Sequence, residues 1–144
     1  MSHEPGLFDQ PADGRVKLYV TSRALVHRRE HYELFRAGEY RPLAARGWRA
    51  ENVVAFARTL GGPEAVAVAA RFFTRLDLAE PPSLRLAPGI WGDTSVALGE
   101  SLTGTRYRDV FTGAEFVAAE NEGGRVLRLA DVLSSLPVAL LERV

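Results

Sequence analysis

Turn-forming motifs recur at short spacing through residues 39–144, so only short regular elements fit between them. These motifs include Gly61-Gly62-Pro63, Pro81-Pro82, Pro88-Gly89, Gly92-Asp93 and Gly123-Gly124. Short apolar runs separated in this way favour an antiparallel all-β sandwich or barrel over alternating βαβ units. The chain has 144 residues. A complete (β/α)₈ barrel needs ~200 residues or more and is therefore excluded.

Residues 15–37 contain neither glycine nor proline and are predicted to be helical. Asp13 precedes them and is a suitable N-cap. Leu18 and Leu25 lie on one face of this helix, and Val16 and Val20 lie on nearly the opposite face. Because an ordinary surface helix has a single apolar stripe, this helix is expected to need packing partners on two sides.

The chain divides into three predicted segments. Residues 1–12 contain Pro5, Gly6 and Pro11 and are expected to form a flexible leader. Residues 13–38 form a helical segment in which a second, short helix over 31–36 ends at Gly38. Residues 39–144 form one β-sandwich domain, since a chain of this length buries enough surface for a core of its own.

Strands are predicted wherever β-forming residues lie between turns, at 52–58, 94–98, 106–110, 114–118, 126–129 and 138–144, with one helical turn at 130–133. Residues 65–73 are ambiguous. Their large and small side chains alternate as in a strand, but the alanines and the preceding Pro63-Glu64 suit a helix start. The pattern alone leaves strand and helix equally open.

Composition narrows the function classes. The 18 basic and 18 acidic residues give a formal net charge of zero, which argues against a nucleic-acid partner. The absence of cysteine excludes disulfides, thiol nucleophiles and thiolate metal sites. No run approaches the ~18 apolar residues of a membrane span. The N-terminus also lacks the basic start and apolar run of a signal peptide, so a cytoplasmic protein without a membrane partner is expected.

Catalytic motifs are missing from the sequence. It contains no nucleophile elbow, phosphate-binding loop, zinc-peptidase motif or dinucleotide fingerprint, so no catalytic residue and no cofactor are predicted. His27 and His31 are four residues apart, with Glu30 between them, and two imidazoles at that spacing can bind a metal. No third ligand is evident in the sequence, so a structural role is favoured and no metal site is predicted.

Three carboxylates, those of Asp93, Asp109 and Glu115, lie near aromatic residues. Glycoside chemistry needs two carboxylates that face one sugar. All three lie at predicted turns or strand ends, where hydrogen bonding within the turn explains them first.

The two tryptophans are candidates for stacking on sugar rings. Trp48 lies in a polar segment and is expected to be exposed. Trp91 lies between Ile90 and Gly92, and core packing is favoured for it because large aromatic side chains dominate protein cores. Trp48 and Trp91 are therefore the predicted carbohydrate-binding residues. For each of them, a purely structural role is the alternative interpretation.

An ordered set of segments resembles the end of malto-oligosyltrehalose synthases, over residues 13–144. These segments are DGRVKLYVT (13–21), AL (24–25), RRE (28–30), ELF (33–35), GEYRPL (38–43), NVVAFAR (52–58), WGDT (91–94), RDVFTG (108–113) and LPVALLE (136–142). The order of the set, more than any single motif, carries the resemblance. Tyr32 stands where similar sequences often have proline, and residues 1–12 look unrelated to the family.

The resemblance implies a fold and a role. This family belongs to the α-amylase superfamily and has a catalytic (β/α)₈ barrel followed by a C-terminal β-sandwich. Its members are isomerases that convert the reducing-end α-1,4 bond of a malto-oligosaccharide into an α,α-1,1 bond. The resemblance implies that 65–73 is a strand and that helix 13–30 is the last barrel helix, lying between barrel and sandwich. No catalytic residue of the family falls within this chain, so it is not expected to be an enzyme on its own.

Three functions follow as hypotheses. The first is a non-catalytic C-terminal domain that braces the catalytic barrel, with the barrel in the same enzyme or on a separate chain. The second is an α-glucan-binding module that uses Trp48 or Trp91. The third is a self-associating protein, in which a homodimer forms through the N-terminal helix. The predicted interface residues are Val16, Leu18, Val20 and Leu25.

Overall fold

The fold is known from a computed structural model, which describes residues 6–9, 14–72, 86 and 89–144. Several predicted features lie outside these residues, among them the cap at Asp13, the turn at 81–82 and the end of the 65–73 segment at Phe73. Among the described helices, which lie within 15–37 and 129–132, none combines the length and apolarity needed to cross a membrane.

The long N-terminal segment is helical, and short strands fill most of the rest of the chain. The helices are α1 (Arg15–Glu30), α2 (Tyr32–Ala37) and α3 (Leu129–Val132). The strands are β1 (Glu39–Leu43), β2 (Ala45–Arg46), β3 (Val53–Thr59), β4 (Glu64–Ala70), β5 (Ser95–Ala97), β6 (Arg106–Asp109), β7 (Glu115–Val117), β8 (Ala119–Asn121), β9 (Gly124–Arg128) and β10 (Val138–Arg143).

The strands form two antiparallel sheets. The larger has the order β1-β3-β4-β10-β6-β7 and the smaller has the order β2-β5-β9-β8. Every strand pair within them is antiparallel. The predicted class, mainly β with a long N-terminal helix before an antiparallel sandwich, is confirmed.

The ambiguous segment at 65–73 is a strand. Its described part forms β4, which pairs with β3 along seven positions, from Val53 with Ala70 to Thr59 with Glu64. β10 pairs with the other edge of β4. Because both edges of β4 are hydrogen-bonded to neighbouring strands, the sheet stabilises the strand over the helix, a choice that the local sequence pattern left open.

The main core lies between the two sheets. Along β3, Val53 and Ala57 point inward and are buried, whereas Val54 points outward and is 47% exposed. The two sheets, helix α3 and the loops contribute the buried members of this core: Val53, Ala55, Ala57, Val66, Val68, Leu86, Ile90, Trp91, Val96, Leu98, Leu102, Tyr107, Leu127, Leu129, Val132, Leu133, Ala139 and Leu141. Alternation of buried and exposed positions is what a strand with one covered face produces.

Helix α1 covers part of the outer face of the larger sheet. Val16, Tyr19 and Val20 pack in a second apolar cluster with Val138 and Leu140 of β10. The Tyr19 hydroxyl donates a hydrogen bond of 2.6 Å to the Phe111 carbonyl oxygen. The described part of the expected flexible leader is a 3₁₀ turn over Leu7–Asp9, and Leu7 and Phe8 are buried in this same cluster. The domain boundaries at residues 12 and 38 stay predictions.

The short strands β1, β2 and β8 are absent from the sequence prediction. The positions of β1 are mostly exposed, and Pro42 lies within it. Proline is tolerated in an edge strand because one side of that strand donates no ladder hydrogen bonds. A strand without a buried face has no alternating apolar pattern, so no local signal marks it.

Candidate docking surface

Helix α1 has a second apolar face that no described residue covers. Leu18 is 68% exposed and Leu25, two turns later on the same face, is 58% exposed. Val26 beside them is 44% exposed. Of the four predicted interface residues, Val16 and Val20 face the sandwich, so only Leu18 and Leu25 are available to a partner. We call the surface made by Leu18, Leu25 and Val26 the free face of α1.

The orientation of the free face is determined by contacts on the opposite side of the helix. Besides the Tyr19 hydrogen bond, the Arg23 guanidinium donates two bonds of 3.3 Å to the Val110 carbonyl oxygen. Val16 is 7% exposed in the apolar cluster below the helix. Since α1 is attached at its start and its middle, it presents Leu18 and Leu25 in a defined direction away from the sheet.

The two tryptophans lie in different environments. Trp48 is 66% exposed, and the Arg49 guanidinium lies over its ring at 4.2 Å from the centroid. Trp91 is 3% exposed within the main core. A buried indole offers no face to a sugar, so stacking on Trp91 is incompatible with this structure, and Trp48 is the remaining candidate.

The three candidate carboxylates all accept hydrogen bonds from neighbouring donors. Asp93 Oδ1 accepts from the Trp48 backbone N–H at 2.9 Å. Buried Asp109 accepts from the backbone N–H of Phe111 and from the Thr112 hydroxyl, both at 3.0 Å. Glu115 forms a salt bridge of 3.0 Å with Arg108. These contacts match the structural interpretation of turn and strand-end carboxylates.

Asp109 is expected to make stability depend on pH. Burial raises the pKa of its carboxyl group, and the hydrogen bonds from Phe111 and Thr112 oppose this only in part. The folded state then holds this proton more tightly than the unfolded state does. The contribution of Asp109 to stability is therefore greatest at acid pH, and it falls as pH rises from the unfolded pKa near 4 through the raised folded pKa.

Urea unfolding of the wild type and Asp109→Asn at a series of pH values tests this. The free energy of unfolding of the wild type, relative to that of Asp109→Asn, should decrease as pH rises through this window. A difference between the two proteins that stays constant with pH, or that grows in the opposite sense, contradicts the prediction.

A histidine pair meets a carboxylate where α1 crosses β10. The rings of His27 and His31 have centroids 4.2 Å apart, and His27 is buried. His27 Nδ1 lies 3.6 Å from Glu142 Oε2. Burial lowers the pKa of His27, and His31 lowers it further. Sequence reasoning found the two histidines but missed Glu142, because it lies at the other end of the chain and only the packing of α1 on β10 brings it close.

The buried carboxylate of Glu64, at the start of β4, was not predicted from the sequence. Glu64 is 5% exposed and accepts a hydrogen bond of 2.7 Å from the Tyr107 hydroxyl. It also accepts from the backbone N–H groups of Thr103, at 2.6 Å, and Gly104, at 3.1 Å. Burial, followed by the bond to Glu64, raises the pKa of Tyr107. This cluster attaches the loop before β6 to the start of β4.

Comparison with solved structures finds a similar enzyme. The chain is similar to a mutant of maltooligosyltrehalose synthase from Arthrobacter ramosus, with 37% sequence identity and a TM-score of 0.62. The match covers 91% of this chain and 14% of that enzyme chain. Neither protein-family models nor curated proteins give a match. The resemblance to maltooligosyltrehalose synthase that the sequence indicated is thereby confirmed over nearly the whole chain, which corresponds in extent to one domain of that enzyme.

Proposed function

We propose that this chain is the non-catalytic C-terminal β-sandwich domain of a maltooligosyltrehalose synthase, with α1 as the last helix of the catalytic barrel. In this proposal the domain braces the barrel through the free face of α1. The observation that carries the proposal is the exposure of Leu18 and Leu25 on a helix whose opposite face is already packed. The reaction served would be cytoplasmic trehalose synthesis from malto-oligosaccharides.

The matched segment makes up 14% of the Arthrobacter ramosus enzyme chain. The proposed occupant of the free face lies in the rest of such a synthase chain. Fully burying an exposed leucine contributes roughly 1.5–3 kcal/mol, so covering Leu18 and Leu25 would help to hold the helix against an apolar partner. Arg29 lies on the same face and Arg28 beside it, both exposed. A partner surface with an apolar centre and acidic groups at its edge would complement them.

Catalysis is assigned to the barrel. The sequence has no catalytic motif of its own, and the described carboxylates nearest to the aromatic residues are used in turns and salt bridges. The chain alone is therefore expected to be inactive on malto-oligosaccharides. Its effect on the reaction would come through the stability and position of the barrel helix.

A chimeric synthase tests the proposal. In it, this chain replaces the matching segment of the Arthrobacter ramosus enzyme, and formation of the trehalosyl end from maltopentaose is measured together with the unfolding temperature. The chimera should be active. The double substitution Leu18→Asp and Leu25→Asp should lower both activity and unfolding temperature, because it removes roughly 3–6 kcal/mol of apolar burial.

The matched control is Val117→Asp. The Val117 side chain is 67% exposed, almost the same as the 68% of Leu18, but it lies on β7 and not on α1. It should leave activity and unfolding temperature close to those of the chimera. Equal effects of the control and the double substitution would overturn the proposed contact. Sedimentation of the chain alone tests whether a second copy, and not the barrel, covers the free face. A dimer that Leu18→Asp dissociates would place a second copy there.

A further inference from the structure

We propose that His27, His31 and Glu142 bind one divalent transition-metal ion of the Zn²⁺ type, which links α1 to β10. The proposal is independent of the role in a synthase. Each of the three residues offers one ligand atom, and these atoms all lie within 4.8 Å of one another. They come from two elements, since both histidines are on or next to α1 and the carboxylate is on β10.

The distances suit an ion after a small movement. Zinc lies about 2.0–2.2 Å from imidazole nitrogen and carboxylate oxygen, so two ligands of one ion are at most about 4 Å apart. Ligand atoms within 4.8 Å therefore need side-chain shifts of roughly 1 Å to meet one ion. The two imidazole planes, 33° apart, must also rotate so that their lone pairs converge on it. Two histidines four residues apart on one helix face are also the spacing with which zinc peptidases bind their metal.

The hydrogen bonding of His31 prepares it as a ligand. Its Nδ1 lies 3.0 Å from the His27 carbonyl oxygen. A carbonyl oxygen only accepts, so Nδ1 must carry the proton, and in the neutral ring Nε2 then keeps its lone pair. Ring orientation by a backbone carbonyl is the usual arrangement around metal-binding histidines.

His27 supplies the second, independent observation. It is 4% exposed, and its Nε2 is buried without a hydrogen-bond partner among the residues that the structure describes. Its Nδ1 is 3.6 Å from Glu142 Oε2, which is longer than a normal hydrogen bond. A buried imidazole nitrogen without a hydrogen-bond partner costs stability, and an ion bound at Nε2 would remove that cost.

Charges around the site leave one carboxylate oxygen for the ion. Arg23 and Arg108 line the adjacent cavity of about 200 Å³ together with Glu30 and Glu142. Arg23 donates to the Val110 carbonyl oxygen, and Arg108 is bound to Glu115 at 3.0 Å. Glu142 Oε1 is 3.9 Å from Arg108 Nη1, whereas Oε2 faces His27. His27 and Glu142 line this cavity, so water could reach an ion bound to them from that side.

The ligand set selects the class of metal. Two imidazole nitrogens and one carboxylate suit Zn²⁺ and neighbouring transition ions, whereas Mg²⁺ and Ca²⁺ require mostly oxygen ligands. An ion here would add a direct link between the N-terminal helix and the last strand. Its consequence would be a helix held more firmly on the sandwich.

Calorimetric titration of the full chain with Zn²⁺, after treatment with a chelator, tests the site. We expect one ion per chain and a higher unfolding temperature with Zn²⁺ but not with Mg²⁺. His31→Ala and Glu142→Gln should each weaken binding by roughly 100-fold, because even the outer partners of metal ligands contribute about 10–100-fold. Both side chains are only partly buried, so these variants should fold, as far-UV circular dichroism would verify.

The matched controls are His3→Ala, at the one histidine outside the proposed site, and Glu120→Gln, at an exposed carboxylate on β8. Both should bind Zn²⁺ as the wild type does. Absence of stoichiometric binding by the wild type would overturn the proposal. Equal binding by the wild type, His31→Ala and Glu142→Gln, or loss of binding in His3→Ala, would overturn it as well.

Discussion

Replacing Glu64 with alanine is expected to lower the free energy of unfolding by about 3 kcal/mol or more. The change leaves the Tyr107 hydroxyl and the backbone N–H groups of Thr103 and Gly104 without their shared acceptor. Hydrogen bonds to a charged group contribute about 1.5–3 kcal/mol, and a buried donor left unsatisfied adds its desolvation cost. Arg143, whose Nη1 lies 3.5 Å from Glu64 Oε1, also loses its ionic partner.

Urea unfolding followed by circular dichroism measures this loss. Glu115→Ala is the matched control, since that carboxylate is 41% exposed and joins Arg106 and Arg108 on the surface. Exposed pairs contribute about 0–1 kcal/mol, so the control should be nearly as stable as the wild type. Tyr107→Phe removes one of the donors, so its loss in the free energy of unfolding should lie between those of Glu64→Ala and Glu115→Ala. Equal losses for Glu64→Ala and Glu115→Ala would show that the buried cluster is not stabilising.

Trp91→Ala is expected to lower the free energy of unfolding by about 3–5 kcal/mol, as the truncation of a buried aromatic side chain does. Trp91 is 3% exposed and lies between the sheets in the main core. The alanine would leave a cavity that the surrounding strands, held in two hydrogen-bonded sheets, can close only in part.

Trp48→Ala provides the comparison, because these are the two tryptophans of the chain. Trp48 is 66% exposed, so its removal should cost under about 1 kcal/mol. Each variant leaves one tryptophan, and the emission of Trp91 alone should be blue-shifted relative to that of Trp48 alone. Similar stability losses in the two variants would contradict the assignment of Trp91 to the core.

The sequence alone predicted the features that rest on local patterns. Turn spacing after Gly38 indicated an antiparallel all-β sandwich or barrel, and the alternating or continuous apolar runs marked β3, β9 and β10. The two apolar faces of α1 were also visible, since a helix repeats every 3.6 residues whatever surrounds it. The structure packs one of these faces on the sheet and leaves Leu18 and Leu25 on the other.

Tertiary structure alone decided which distant residues meet. Glu64 and Tyr107 lie on β4 and β6, and β10 lies between these strands in the sheet. Glu142 reaches His27 because α1 lies across the outer face of β10. The physical reason is that a hydrogen bond or a metal site depends on distance in space, whereas local patterns record only neighbours along the chain. The same reason explains why the sequence determined the class of fold and the two-sided helix, but neither polar cluster.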